Sequence, residues 1–124
     1  MERIFLTIAA ILGGFSVMAG AFGAHALEGK ISERAIEIFE TGARYQMYHA
    51  LALLLIAVLL KTSPSPQPLM VIAGSAFILG IGIFSGSLYA LSLTGIKILG
   101  AITPLGGVAF IAGWGCLAIA ALKL

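Results

Sequence analysis

Charge is scarce in this chain, and aspartate is missing altogether. Charged residues make up 10% of the 124 residues, and the five acidic residues are all glutamates. Soluble domains carry roughly 25% charged residues, so this composition excludes an ordinary water-soluble domain. The seven lysines and arginines are scattered singly along the sequence. They form no basic patch of the kind that binds nucleic acid, and we predict no nucleic-acid partner.

Cysteine is nearly absent as well. Cys116 is the one cysteine in the chain, and it lies inside an apolar run. A single cysteine cannot form an intramolecular disulfide or a dithiol redox pair. We expect Cys116 to pack as a small hydrophobic side chain.

Apolar residues dominate instead. Hydrophobic residues make up 60% of the chain, and its mean hydropathy is +1.12. Four segments approach the length of about 20 residues that crosses a hydrocarbon core about 30 Å thick. We predict an all-α membrane protein, a compact four-transmembrane-helix bundle in a single integral membrane domain, 1–124. The predicted spans are about 4–27, 43–60, 69–93 and 98–122.

The first apolar run has the wrong length for a signal peptide. It extends from Ile4 to about Ala24, whereas a signal-peptide core has roughly 7–15 apolar residues. We therefore expect this segment to be retained as a membrane span.

The first connection is predicted to be helical. Ser32 is a suitable N-cap, and apolar and acidic residues follow it on separate faces at helical spacing. We predict an amphipathic interfacial helix over about 32–43, between the first and second spans. This helix either turns before the second span or runs on into it.

Prolines mark the other boundaries. The stretch KTSPSPQP, Lys61 to Pro68, holds three prolines and must end the second span. Within the fourth span, Thr103 precedes Pro104. The pair is compatible with a helix that starts at Thr103 or with a proline kink inside a longer helix.

Small residues recur every four positions in three spans, a spacing that lets membrane helices approach closely. The stripes are Ser16, Gly20 and Ala24 in the first span, Gly82, Gly86 and Ala90 in the third, and Ala112, Cys116 and Ala120 in the fourth.

Polar side chains concentrate at one end of the predicted bundle. The first and third spans end at the membrane face where the second and fourth begin. Most polar residues of the spans lie near that face. Polar groups in hydrocarbon are costly unless they are paired, and ionisable ones are candidates for function. The candidate polar cluster or ligand site comprises His25, Glu40, Arg44, Tyr45, Gln46, Tyr48, His49, Ser87 and Tyr89.

Several roles remain open for the charged and aromatic members. Glu40 and Arg44 are four residues apart and are placed to form an ion pair on one helix face. Alternatively, Arg44 extends to lipid phosphate, and Tyr45 and Tyr48 act as anchors at the membrane interface.

Gln46 and His49 lie a turn deeper. Interhelical hydrogen bonding is one role for both residues, and a ligand-binding or proton-carrying role is another for His49. His25 and His49 at similar depth raise the question of metal or haem. The chain has no pair of histidines at ligand spacing on one helix, no CxxC and no CxxCH. We therefore predict no metal and no cofactor.

Four stretches together resemble a known family. They are GAFGAHAL (20–27), FETGARYQMYHALALL (39–54), FSGSLYALSLTG (84–95) and GAITPLGGVAFIAGW (100–114). They look like the YgdD-like bacterial integral membrane family of unknown function, which is similar to a small animal transmembrane protein. The resemblance implies a multi-pass protein of the bacterial plasma membrane. It emphasises His25, Arg44, Tyr45, Gln46, Tyr48 and His49, but it supplies no substrate, reaction or cofactor.

No sequence motif marks a nucleophile or a phosphate loop, so we predict that the protein is not an enzyme. The leading hypothesis is a non-enzymatic protein that binds a lipid or other amphiphile, or that associates with a larger membrane complex. Its predicted partners are membrane lipids and either a second copy of the chain or such a complex. The alternative hypothesis is a small oligomeric transporter or channel-like protein.

Overall fold

Four long helices account for nearly the whole chain in a computed structural model of Met1–Leu124. They are α1 (Glu2–Leu27), α2 (Glu33–Thr62), α3 (Pro68–Thr94) and α4 (Ile98–Ala121). Each helix is long and apolar enough to cross a membrane, and no β-strand forms. The predicted all-α fold with four membrane spans is confirmed.

Local sequence signals set the helix boundaries. The Ser32 hydroxyl accepts a hydrogen bond from the backbone N–H of Ala35 at 3.1 Å, so Ser32 caps α2 as predicted. Pro68 occupies the first turn of α3, where its missing N–H costs no helical bond. Gly95 ends α3 with a φ of 72°, a left-handed conformation that glycine adopts without strain.

The segment 32–43 runs on into the second span. Helix α2 is continuous over 30 residues, or roughly 45 Å at 1.5 Å per residue. That length exceeds a hydrocarbon core by about ten residues. The acidic start of α2 is therefore the first third of one long helix, and it does not form a helix of its own.

Helix α4 contains Pro104 in its interior. The helix begins at Ile98, so the alternative start at Thr103 is not formed. Proline has no N–H, and the carbonyl of Gly100, four residues earlier, receives no helical hydrogen bond from it.

Helices α2 and α3 occupy the centre of the bundle, with α1 packed on α2 and α4 packed on α3. The apolar core lies in the half that carries both termini. Its largest fully buried side chains are Phe5, Leu53, Ile56, Met70 and Phe77. The remaining half of the bundle contains the buried polar residues.

Glycine permits the closest helix contact. A Cβ at Gly106 of α4 would collide with the backbone of Phe84 in α3, so only glycine fits there without displacing a helix. The predicted stripe in α3 is not the contact surface, because a Cβ at Gly82 or Gly86 would meet no atom within 4 Å. The stripe predicted in the first span does face α2, because Ser16 and Ala24 are buried and a Cβ at Gly20 would lie 3.8 Å from that of Ala43.

Candidate functional site

Gln46 connects three helices at the centre of the polar half. Its side chain is 5% exposed. The amide nitrogen donates to the backbone carbonyl of Leu12 in α1 at 2.8 Å, and the amide oxygen accepts from the Tyr89 hydroxyl in α3 at 2.7 Å. One amide therefore fixes α1 and α3 against α2.

His49 connects α2 to α4 and uses both ring nitrogens. Its Nε2 lies 3.1 Å from Nε1 of Trp114, and its Nδ1 lies 2.8 Å from the carbonyl oxygen of Tyr45. Because an indole N–H only donates, Nε2 must accept, and the ring proton must sit on Nδ1 and be donated to Tyr45. The ring also stacks on Phe110, with centroids 3.5 Å apart. In this arrangement neither nitrogen has a free lone pair to offer a metal.

Two serines bind α2 from opposite sides. Ser16 of α1 donates to the carbonyl of Ala43 at 2.6 Å, and Ser85 of α3 donates to the carbonyl of Gly42 at 2.7 Å. A carbonyl oxygen has two lone pairs, so each can accept this bond in addition to its helical one. The π-helical segments Met18–Gly23 and Ile81–Ser85 lie next to or include these serines. Such segments are frequent at functional sites.

Ser87 and Thr103 form a side-chain hydrogen bond between α3 and α4. Their hydroxyl oxygens are 2.6 Å apart, and Ser87 is buried. Every buried polar side-chain atom in the protein has a hydrogen-bond partner. We define the polar side chains of this half that bond to another helix as the interhelical network: Ser16, Gln46, His49, Ser85, Ser87, Tyr89, Thr103 and Trp114.

Three predicted site residues of α2 lie at the surface of the bundle, and one of them, Tyr45, also packs its ring on Phe84 of α3 with centroids 4.7 Å apart. The Arg44 guanidinium is 4.0 Å from the Glu40 carboxylate, as the four-residue spacing suggested, and 55% of its side chain is exposed. Tyr45 and Tyr48 are both exposed and contact each other, with ring centroids 5.5 Å apart. Arg44 and these tyrosines surround the network but do not belong to it.

The structure does not bring His25 into the network. Its side chain is 77% exposed, and its nearest ionic neighbour is Glu28 at 4.0 Å. Nine residues separate it from Ser16, which is about 13 Å along a helix. The last turn of α1 therefore projects beyond the level at which the helices exchange hydrogen bonds.

The candidate site predicted from the sequence lacks four members of the network: Ser16, Ser85, Thr103 and Trp114. Ser16 was visible only as a member of a small-residue stripe, and Trp114 only as part of a stretch that resembles the family. No local signal shows which hydroxyl or indole will meet a carbonyl of another helix.

A lateral groove runs between α1 and α2 on the outside of the bundle. One part, of about 230 Å³, is lined by polar Ser16, Glu40 and Arg44 together with Gly20, Ala43 and Met47. The other part, of about 290 Å³, is mainly apolar and is lined by Gly13, Gly14, Leu51 and Leu54 together with Ala9, Ala10, Val17, Met47 and Ala50. Because Met47 lines both parts, they adjoin and form one surface that is polar at one end and apolar at the other.

The side chains that commonly bind metal ions are not grouped together in this chain. No group of three or more histidine, cysteine and acidic side chains lies close enough together to hold one.

Four apolar helices joined by an internal polar network define a small multi-pass membrane protein, and the predicted class is confirmed. The family model described as "Protein of unknown function (DUF423)" matches residues 19–107. The chain belongs to this family, which confirms the predicted membership in a membrane family of unknown function.

Relatives match over nearly their whole length. The chain is 49% identical over 121 residues to UPF0382 membrane protein YwdK of Bacillus subtilis, with 98% of each chain covered. It is 47% identical to UPF0382 membrane protein SH2409 of Staphylococcus haemolyticus, covering 98% of this chain and 97% of that one. No solved structure matches the chain. The relatives are named as membrane proteins of bacteria, and the protein is a multi-pass plasma-membrane protein.

Proposed function

We propose that the protein is a non-enzymatic binder of a membrane amphiphile and that the lateral groove between α1 and α2 holds one lipid molecule. The observation that carries this proposal is the change from polar to apolar lining between the two adjoining parts of the groove, which share Met47. A lipid has the same gradient, from head group to acyl chain.

The head group is assigned to the end of the groove near Arg44 and Glu40. At 4.0 Å this ion pair is longer than a hydrogen bond, and both side chains are partly exposed. The guanidinium therefore keeps donors for a phosphate, which it recognises well. The Glu40 carboxylate offers acceptors for an ammonium group. The two charges together suit a zwitterionic phospholipid such as phosphatidylethanolamine.

The acyl chain is assigned to the glycine-lined end. A Cβ added at Gly13 or Gly14 would meet no atom within 4 Å, so these positions leave open space beside Leu51 and Leu54. Larger residues at the two positions would place their side chains in the space that the acyl chain requires.

In this proposal the protein catalyses no reaction. The deeper polar groups, including Gln46, His49 and Ser87, make hydrogen bonds to other helices or to the backbone. Their role is to hold the helices at the separation that creates the groove.

Filling the groove tests the proposal. The variant Gly14→Leu places a side chain in the apolar end, and Gly115→Leu is the matched control, because a Cβ at Gly115 also meets no atom. We expect Gly14→Leu to weaken phosphatidylethanolamine binding about tenfold or more by overpacking the site. Native mass spectrometry of the detergent-solubilised protein during lipid titration measures the bound fraction.

The charged end provides a second comparison. Arg44→Gln should weaken binding of the same lipid about fivefold, whereas Arg34→Gln, on the same helix but outside the groove, should not. Equal binding by the wild type and Gly14→Leu, with the helical circular dichroism of both preserved, would contradict the proposal. The same spectra report the number of chains in the particle.

A further inference from the structure

A second cleft lies at the opposite membrane face, between the start of α1 and the end of α2. It has a volume of about 270 Å³ and is lined by Glu2, Arg3, Leu6, Ala57, Val58 and Lys61. Two basic side chains from antiparallel helices thus border a wall of apolar residues. We call this space the basic cleft.

Neither basic residue of the cleft forms an ion pair, although the Glu2 carboxylate lines the same cleft and its charge interacts with that of Lys61. Arg3 and Lys61 form no ion pair within 4.0 Å, whereas the Glu2 carboxylate lies 3.5 Å from the amino-terminal ammonium group. On the other face, Arg34 and Arg44 lie 3.3 and 4.0 Å from Glu37 and Glu40. Arg3 and Lys61 are therefore two unpaired bases that line the same cleft, although Lys30, Lys97 and Lys123 form no ion pair either.

The charge balance of the two faces agrees with this difference. The face that carries the cleft holds three bases and one acid: Arg3, Lys61, Lys123 and Glu2. The other face holds four bases and four acids: Lys30, Arg34, Arg44, Lys97, Glu28, Glu33, Glu37 and Glu40. The whole formal charge of +2 therefore resides on the face with the cleft.

We infer that the basic cleft binds the phosphate group of an anionic phospholipid, between the Arg3 guanidinium and the Lys61 ammonium. Basic pockets between membrane helices bind anionic head groups in this way. Leu6, Ala57 and Val58 border the first carbons of the acyl chains. The site lies in the other leaflet from the lateral groove and does not depend on it.

Phosphatidylglycerol titration of the full chain in detergent, followed by native mass spectrometry, tests this inference. We expect Arg3→Gln and Lys61→Gln each to lower phosphatidylglycerol affinity about fivefold. Lys61→Arg keeps the charge and should bind as the wild type does. Lys97→Gln is the matched control, because it removes one exposed charge from the opposite face.

Three results would overturn the inference. The first is unchanged phosphatidylglycerol binding by the Arg3→Gln, Lys61→Gln double variant. The second is an equal loss in Lys97→Gln, which would indicate attraction to net charge alone. The third is displacement of the lipid by inorganic phosphate at equal concentration, which would make the cleft a site for soluble anions. Gly14→Leu should leave phosphatidylglycerol binding intact, so the proposals for the lateral groove and for the basic cleft can be tested independently.

Discussion

At the residue scale, the buried polar side chains of this protein act as connectors between helices. An unpaired amide or hydroxyl in hydrocarbon is costly, and the interhelical network leaves none. Gln46 shows the consequence, because its one amide group bonds to α1 and α3 at once. Measured hydrogen bonds between membrane helices are individually modest, so the arrangement depends on several acting together.

Removal of the Tyr89 hydroxyl tests this role. We expect Tyr89→Phe to lower the free energy of unfolding by about 1 kcal/mol, because the buried Gln46 oxygen loses its donor. Tyr48→Phe is the control, since Tyr48 is 53% exposed and its hydroxyl has no hydrogen-bond partner. Denaturant titration in detergent micelles measures both. In a Gln46→Leu background, Tyr89→Phe should add little further loss, and a full additive loss would contradict the assigned pair.

At the element scale, the helices approach each other where glycine replaces a side chain. A Cβ at Gly106 would collide with the backbone of Phe84. One at Gly113 would collide mainly with the ring of Phe77 and would lie 3.2 Å from the backbone oxygen of Ala73. A ring can rotate away from an added methyl group, but a backbone cannot move without displacing its helix. The contact at Gly106 is therefore the more demanding of the two.

Gly106 and its neighbour Gly107 provide a matched pair of variants that tests the contact with Phe84. Gly106→Ala should lower the free energy of unfolding by about 1–3 kcal/mol through overpacking. Gly107→Ala should be neutral or raise it by about 0.5–1 kcal/mol, because alanine favours a helix and its Cβ meets no atom. Thermal unfolding followed by circular dichroism compares them. Equal stability of the two variants would show that α3 and α4 are not in the contact described.

At the scale of the whole molecule, the two membrane faces differ in chemistry. One face has equal numbers of basic and acidic residues and lies at the end of the bundle that contains the interhelical network. The other face carries the net positive charge and lies at the end that contains the apolar core. Four spans place both termini and the connection between α2 and α3 on the same side of the membrane.

Cysteine labelling tests that arrangement. In a Cys116→Ala background, single cysteines at Ser65 and Lys123 should react with a membrane-impermeant maleimide from one side of the membrane. Cysteines at Lys30 and Lys97 should react from the other side, because an even number of helices separates the positions within each pair. These four residues are all exposed. Labelling of Ser65→Cys and Lys97→Cys from the same side would exclude four spans.

The sequence by itself determined the features that depend on neighbours along the chain. Hydropathy predicted four spans, and Ser32 predicted the start of α2, because helix capping and burial in lipid are properties of a local segment. The spacing of Glu40 and Arg44 predicted their approach for the same reason. The polar half was also visible, since the order of the spans fixes which helix ends share a face.

Only the tertiary structure decided which residues meet across helices. It left His25 outside the network and packed Gly106 instead of the stripe at Gly82 and Gly86. It brought in four residues that the predicted site lacked: Ser16, Ser85, Thr103 and Trp114. It also joined polar and apolar surfaces in the lateral groove. Each outcome depends on how far one helix is rotated and shifted in depth relative to another. The periodicity of residues within one segment specifies neither the rotation nor the depth.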